Sequence, residues 1–295
     1  MATTTTTAAF SSQRLTIVGV GLIGGSLARA LRRTHCCDEI VGCGRDEAHL
    51  QKAVELGVID RYEMNVAAAV SGADMVVVAV PLRAMATVFS QMVSGLAADA
   101  VITDVGSAKA SVVKTALAQL GNRFSDFVPG HPIAGTEQSG VEASFAELFD
   151  NRGVILTPLE ETDVEKCARV RAMWECAGAS VIDMAVAHHD EVLAATSHLP
   201  HLLAFSLVNT LASFDERKEI FDFAAGGFRD FTRIASSDPV MWRDICLENR
   251  DAVLEVLQHF NSDLRQLEDA IRDDDGEAVV NVFTRAKATR DRFCG

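Results

Sequence analysis

A doubly wound α/β sheet followed by an all-helical segment is the architecture that these 295 residues predict. Three observations carry it. An apolar run enters a glycine-rich turn at 15–26, short β-rich runs alternate with helical patterns as far as about Met184, and no strand pattern follows. The predicted strands lie at 15–19, 39–43, 75–80, 101–104, 127–130 and 154–157, and helical spacing occupies 26–33, 47–56, 84–96 and 107–120. Residues 167–177 and 180–183 add one more helix and strand. A run such as Met-Val-Val-Val-Ala-Val at 75–80 has no polar alternation, which suits a parallel strand covered on both faces. Strands and helices that alternate in this way imply right-handed βαβ units. The expected division is a leader at 1–14 without order, a sheet domain at 15–184 and a helical domain at 185–295, the last broken near Pro200, Gly226–Gly227 and Pro239.

Composition narrows the function. The chain is 48% hydrophobic and carries a formal net charge of −14. No Lys/Arg run offers the basic face that phosphate neutralisation requires, so nucleic acid is excluded as a partner. Seven cysteines, at 36, 37, 43, 167, 176, 246 and 294, form no C-x-x-C pair. Scattered and odd in number, they read as reduced thiols of a cytoplasmic protein. Residues 194–214 contain no Asp, Glu, Lys or Arg, but His198, Pro200, His201 and Asn209 argue for a buried soluble helix and against a membrane span. The leader is rich in Thr, Ser and Ala; it lacks the arginines of a transit peptide.

The turn reads Gly-Val-Gly-Leu-Ile-Gly between a strand and a helix. Gly19 permits the tight turn, Gly21 lets backbone approach a pyrophosphate, and Gly24 allows close helix–strand packing. Leu22 and Ile23 lie in the same turn, where the exposed N–H groups of a helix start stabilise phosphate charge. This context makes the first segment a dinucleotide-binding, Rossmann-type domain, with Val80 and Pro81 at the end of a neighbouring strand also expected near the cofactor. The second strand ends Cys43-Gly44-Arg45-Asp46. A side chain that accepts from the ribose 2′-OH of NAD is usual here. Gly44 leaves room instead, and the Arg45 guanidinium suits a 2′-phosphate. NADP is therefore the expected cofactor, with NAD as the alternative if Asp46 serves the ribose.

Three further segments are too specific for packing alone: Asp-Val-Gly-Ser-Ala-Lys at 104–109, Gly-His-Pro-Ile-Ala-Gly-Thr-Glu-Gln-Ser-Gly at 130–140, and the helical pair Ser-His-Leu-Pro-His at 197–201 with Phe-Arg-Asp-Phe-Thr-Arg-Ile-Ala-Ser-Ser-Asp-Pro-Val-Met-Trp-Arg-Asp-Ile at 228–245. In this order, from about Leu15 to Phe260, they resemble the prephenate/arogenate dehydrogenase family. The resemblance implies oxidative decarboxylation of prephenate, L-arogenate or both, giving 4-hydroxyphenylpyruvate or L-tyrosine with CO₂. It also implies a homodimer formed through the helical domain.

Roles follow from chemistry and resemblance together. His131 has an ordinary pKa of about 6.5, which suits it to take the hydroxyl proton as hydride leaves. The resemblance places Ser107 beside it, where it serves both the hydroxyl and the nicotinamide. Arg233 is the choice for the ring carboxylate, because its fork of donors matches a carboxylate bidentately; Arg229 and Arg243 are nearby alternatives that read more readily as surface ion-pair partners. His198 and His201, three apart on a helix, fit the substrate pocket better than a metal, for which no third ligand completes a site. Trp242 either closes over the ring or packs between helices. Thr136 and Glu137 follow His131 on one loop and line or gate the pocket. Four residues follow Asp291, and the fingerprint begins near the N-terminus, so neither a further regulatory domain nor a preceding mutase domain is expected.

Two other readings differ in class. A β-hydroxyacid dehydrogenase or pyrroline-carboxylate reductase shares Gly19–Gly24 and Val80–Pro81 but has no use for the His131 loop. A non-catalytic NADP sensor binds cofactor and tolerates loss of His131.

Overall fold

Six parallel strands form the main sheet of the computed structural model, which describes residues 10–214 and 218–294. Their spatial order is β3 (Arg61–Glu63), β2 (Cys37–Cys43), β1 (Ser12–Val18), β4 (Met75–Val78), β5 (Val101–Asp104) and β6 (Phe127–Val128). The order reverses between β1 and β4, where doubly wound sheets bind ligands at the carboxyl ends of their strands. Side chains of β1 and β4 alternate between the two faces. Leu15, Ile17, Met75 and Val77 pack with α1 (Leu22–Arg33) and α6 (Val164–Cys176). Val18, Val76 and Val78 pack with α3 (Val66–Val70), α4 (Met85–Met92) and α5 (Lys109–Leu120). Two covered faces explain why these strands are apolar throughout. Helix α2 (Glu47–Glu55) follows β2.

Several details depart from expectation. Strand β1 begins at Ser12, so 12–14 belong to the sheet; of the expected leader, residues 1–9 lie outside the described residues. β3 and α3 are too short to show a period. The strand predicted at 127–130 is divided. Its first part, β6, pairs with β5, whereas β7 (Gly130–Pro132) joins a second sheet with β8 (Gly153–Leu156) and β9 (Ser180–Asp183). Pro129, between them, has no N–H to continue the first ladder. Cys36 and Cys176, expected as free thiols, are joined as a disulfide between the turn that precedes β2 and the end of α6; their separation of 140 residues hid the pair.

The chain forms two compact units that divide between Asn249 and Arg250, and only helices follow β9 in the first of them. Helix α7 (Val186–Leu193) packs on α5 and continues through a π-helical turn, Ala194–His198, into α8 (Leu199–Ala212). Pro200 was expected to break this helix. Instead it occupies the first turn of α8, directly after the π-turn, where the widened spiral relieves the clash of its ring with the preceding turn. Helices α9 (Gly226–Thr232) and α10 (Pro239–Glu248) complete the unit, and Asp238 caps α10 at the Met241 N–H. The second unit is a pair of contacting helices, α11 (Arg250–Arg272) and α12 (Gly276–Cys294).

Candidate active site

The glycine turn is built as tightly as the fingerprint implies. Gly19 has φ +101°, and a Cβ there would lie 2.2 Å from the Ala79 carbonyl oxygen. Its N–H donates to Cys43 O, and the Ala79 N–H donates to Val18 O, so the ends of β1, β2 and β4 converge on the turn. A Cβ on Gly24 would lie 2.2 Å from Gly19 O. Gly21 is different, because a Cβ there meets nothing within 4 Å. It is the N-cap of α1, which has no side-chain cap and no acidic residue in its first turn. An uncapped helix start facing open space fits the pyrophosphate of a dinucleotide. Leu22 and Ile23 form that first turn, and Val80 and Pro81 follow Ala79 beside it.

At the end of β2, Gly44 is half-buried with Leu50 3.4 Å from the place of a Cβ. Arg45 is exposed and makes no ion pair among the described residues. Asp46 caps α2 by accepting from the His49 N–H at 3.2 Å, which engages one carboxylate oxygen. His49 reaches back to Val20 O in the glycine turn at 2.8 Å.

Behind the loop after β5 lies a buried ion pair. Lys109 Nζ donates to Asp104 at 2.5 Å and to Gly130 O at 2.7 Å, and Asp104 accepts from the Gly106 and Gly130 N–H groups. These bonds tie the loop that carries Ser107 to the strand that carries His131. Ser107 itself is half-buried, with no side-chain hydrogen bond to His131 among the described residues.

His131, in β7, is buried, and its Nδ1 lies 2.8 Å from His189 Nε2. His189 Nδ1 lies 2.8 Å from Asp190 Oδ1. Asp190 also accepts from the Lys109 and Ala110 N–H groups at the start of α5. Burial pushes the His131 pKa well below its ordinary value, and the neighbouring His189, Lys109 and His198 add to the effect. The imidazole is therefore neutral at pH 7, with Nε2 unpartnered among the described residues.

The helical residues join this network from the other side. Asn249 donates to Asp190 O and lies 3.2 Å from His198 Nδ1. His198 is fully buried, which lowers its pKa to about 4; Asp190 opposes the shift and His189 and His201 add to it. Trp242 is buried between the two histidines, with ring centroids 6.1 Å from His198 and 3.6 Å from His201, the latter stacked. His201 Nδ1 bonds Ser197 O, and its pKa is lowered by burial and by nearby Arg233. Arg233 reaches back to the His131 loop and donates to Glu137 at 2.8 Å. Thr136 accepts from the Gln138 N–H on that exposed loop. Arg229 donates to Ala224 O and Arg243 to Asp244, so neither joins the cluster.

Sequence reasoning missed Asp104, Lys109, His189, Asp190 and Asn249. The first two are the end residues of the 104–109 segment, and His188-His189-Asp190 is a polar run at a helix start, so a signal existed for four of the five.

Comparison with known proteins gives consistent matches. Residues 27–183 match the family model described as prephenate dehydrogenase, nucleotide-binding domain, and residues 185–285 the one described as prephenate dehydrogenase, dimerization domain. The chain is 41% identical to a cyclohexadienyl dehydrogenase of Zymomonas mobilis over 94% of this chain and 95% of that one. A prephenate dehydrogenase of Bacillus subtilis is 37% identical, over 93% of this chain and 74% of that one. Among solved structures, prephenate dehydrogenase from Aquifex aeolicus in complex with hydroxyphenyl propionate and NAD⁺ superposes with a TM-score of 0.90 at 38% identity, covering 97% of this chain and all of that one.

Proposed function

The chain belongs to the prephenate dehydrogenase family, and on that premise we propose that it oxidises and decarboxylates prephenate with a nicotinamide cofactor. The observation that carries this reading is the buried His131, neutral and held through Nδ1, on the strand beside the Ser107 loop. A bound nicotinamide would supply the acceptor for the hydride that leaves the hydroxyl-bearing ring carbon. The turn from Gly19 to Gly24 would hold the pyrophosphate, and Ser107 lies on the loop after β5 at the carboxyl edge of the sheet. His131 Nε2 takes the hydroxyl proton. The bond to the ring carboxylate then breaks, CO₂ leaves, and the released electron pair makes the ring aromatic with a phenolate oxygen. Protonated His131 returns its proton to that oxygen, which restores the base.

Arg233 binds the ring carboxylate, with His201 and Trp242 beside the side chain of the substrate and Thr136 and Glu137 closing the loop over it. The Arg233–Glu137 pair is solvent-exposed, with the arginine side chain 59% accessible, so it contributes at most about 1 kcal/mol and a substrate carboxylate displaces it readily. His198, fully buried under Trp242, supports that ring.

Purified protein is expected to reduce nicotinamide when given prephenate, with CO₂ release; absence of reduction with prephenate and with L-arogenate, under NAD⁺ and under NADP⁺, refutes the reading. Comparing kcat/KM for the two substrates settles the side-chain preference. We favour NADP⁺ over NAD⁺, because Gly44 leaves room, Arg45 is unpaired among the described residues, and Asp46 is engaged as a helix cap.

We also propose a homodimer through the helical residues 185–295. The helix Val186–Ala212 is long and apolar, yet only 28% of its most apolar stretch is buried within one chain. Leu254, Leu264, Val280 and Phe283 on α11 and α12 are exposed. A second copy of the same surface is the simplest cover. An active 31.7 kDa species in sedimentation equilibrium at micromolar concentration contradicts the dimer as a functional requirement.

A further inference from the structure

We infer that His189 is a positioning residue that fixes His131 in the tautomer able to act as base. The inference deepens the reading above and rests on it. Three buried groups stand in line: the Asp190 carboxylate, His189 and His131, with 2.8 Å at each step. An ionised carboxylate only accepts hydrogen bonds. Asp190 is held ionised, since the bonds from His189 and from the Lys109 and Ala110 N–H groups outweigh burial and bring its pKa below the ordinary carboxyl value. His189 Nδ1 therefore carries the proton in that bond. A neutral imidazole has one donor and one acceptor, so His189 Nε2 presents a lone pair to His131. His131 must then place its proton on Nδ1, which leaves Nε2 as the lone pair for the substrate hydroxyl.

The opposite arrangement, with His189 donating to His131, requires a lone pair facing the carboxylate or a second buried positive charge beside Lys109. Lys109 and Asp104 from α5 and β5, Asp190 from α7 and His198 from the π-turn are the charged and titratable groups around the pair. When His131 takes a proton, the carboxylate at the far end of the line compensates the new charge, so the relay both orients the base and eases its protonation.

The test begins with the resting protein. In ¹⁵N-histidine spectra His131 is expected to be protonated at Nδ1 and bare at Nε2; a proton on Nε2 overturns the inference, whatever the substrate of the enzyme proves to be. Two variants follow. His189→Leu is expected to lower kcat by about 10- to 100-fold, a share of the ~10²–10⁴-fold that a positioned base supplies, with little change in KM and with the acid limb of the pH profile displaced. His189→Gln, whose side-chain oxygen replaces the acceptor, is expected to keep the Nδ1–H tautomer and to recover most of kcat. An unchanged tautomer and pH profile in folded His189→Leu overturns the inference, and so does His189→Gln behaving like His189→Leu while folded. Wild-type inactivity on every substrate and cofactor pair would instead refute the proposed reaction and leave the tautomer result standing.

Discussion

Lys109 and Asp104 form an ion pair at 2.5 Å in which both side chains are wholly excluded from solvent. Burial pulls the Lys109 pKa down while Asp104 holds it up, so the charge survives only because its partner is present. The pair also fixes backbone, since Lys109 bonds Gly130 O and Asp104 bonds the Gly106 and Gly130 N–H groups.

Removing one partner leaves the other charge buried and unpaired. Lys109→Met is expected to cost about 3–5 kcal/mol of stability. Denaturant unfolding measures it, and a loss below 1 kcal/mol would show that the pair is not what holds the Ser107 and His131 strands together.

The fingerprint glycines divide by what surrounds them. Gly24→Ala forces a Cβ within 2.2 Å of Gly19 O and 2.8 Å of the Ile17 side chain, so it is expected to lower the melting temperature. Gly21→Ala meets no protein atom within 4 Å and is expected to fold normally but to weaken dinucleotide binding at least about tenfold. Calorimetric titration with NADP⁺ and NAD⁺, set beside thermal melts, separates the two effects.

Acid is expected to act on both stability and rate. His198 falls from an ordinary 6.5 to about 4 in the folded chain, so between those values the unfolded chain binds the extra proton. Its contribution is complete above pH 6.5 and is lost as the pH falls toward 4, a change on the order of 3 kcal/mol. His131 shifts in the same direction. Unfolding free energies measured from pH 7 to pH 4 are expected to fall accordingly. The acid limb of kcat/KM is expected below pH 6.5, because the working base is neutral His131; it should vanish in His131→Asn together with about 10²–10⁴-fold of the rate.

Arg233→Lys keeps the charge but loses the fork. If Arg233 binds a carboxylate bidentately, KM for prephenate is expected to rise about 30-fold or more with a smaller effect on kcat. Steady-state kinetics checks this, and an unchanged KM removes Arg233 from the pocket.

The alternation of apolar runs with helical spacing determined the doubly wound sheet, because a strand covered on both faces must be apolar on both, as Met75–Val78 is. The glycine turn was equally legible, since Gly19 and Gly24 occupy positions where the ends of β1 and β4 and the start of α1 leave no room for a side chain. His131, Arg233 and Trp242 could be named because their segments resemble a known family. Their surroundings could not. His189 and Asp190 lie 58 and 59 residues beyond His131, and Asn249 lies 51 beyond His198, so only tertiary packing brings them within hydrogen-bond reach. The continuous helix through Pro200 likewise depended on a π-turn, a change in hydrogen-bond spacing that residue types do not announce. The division of one predicted strand at Pro129 and the joining of Cys36 to Cys176 have the same origin. Local sequence specifies periodicity and turn chemistry over a few residues, whereas a buried polar group takes its partner from whichever distant element the packing brings to it.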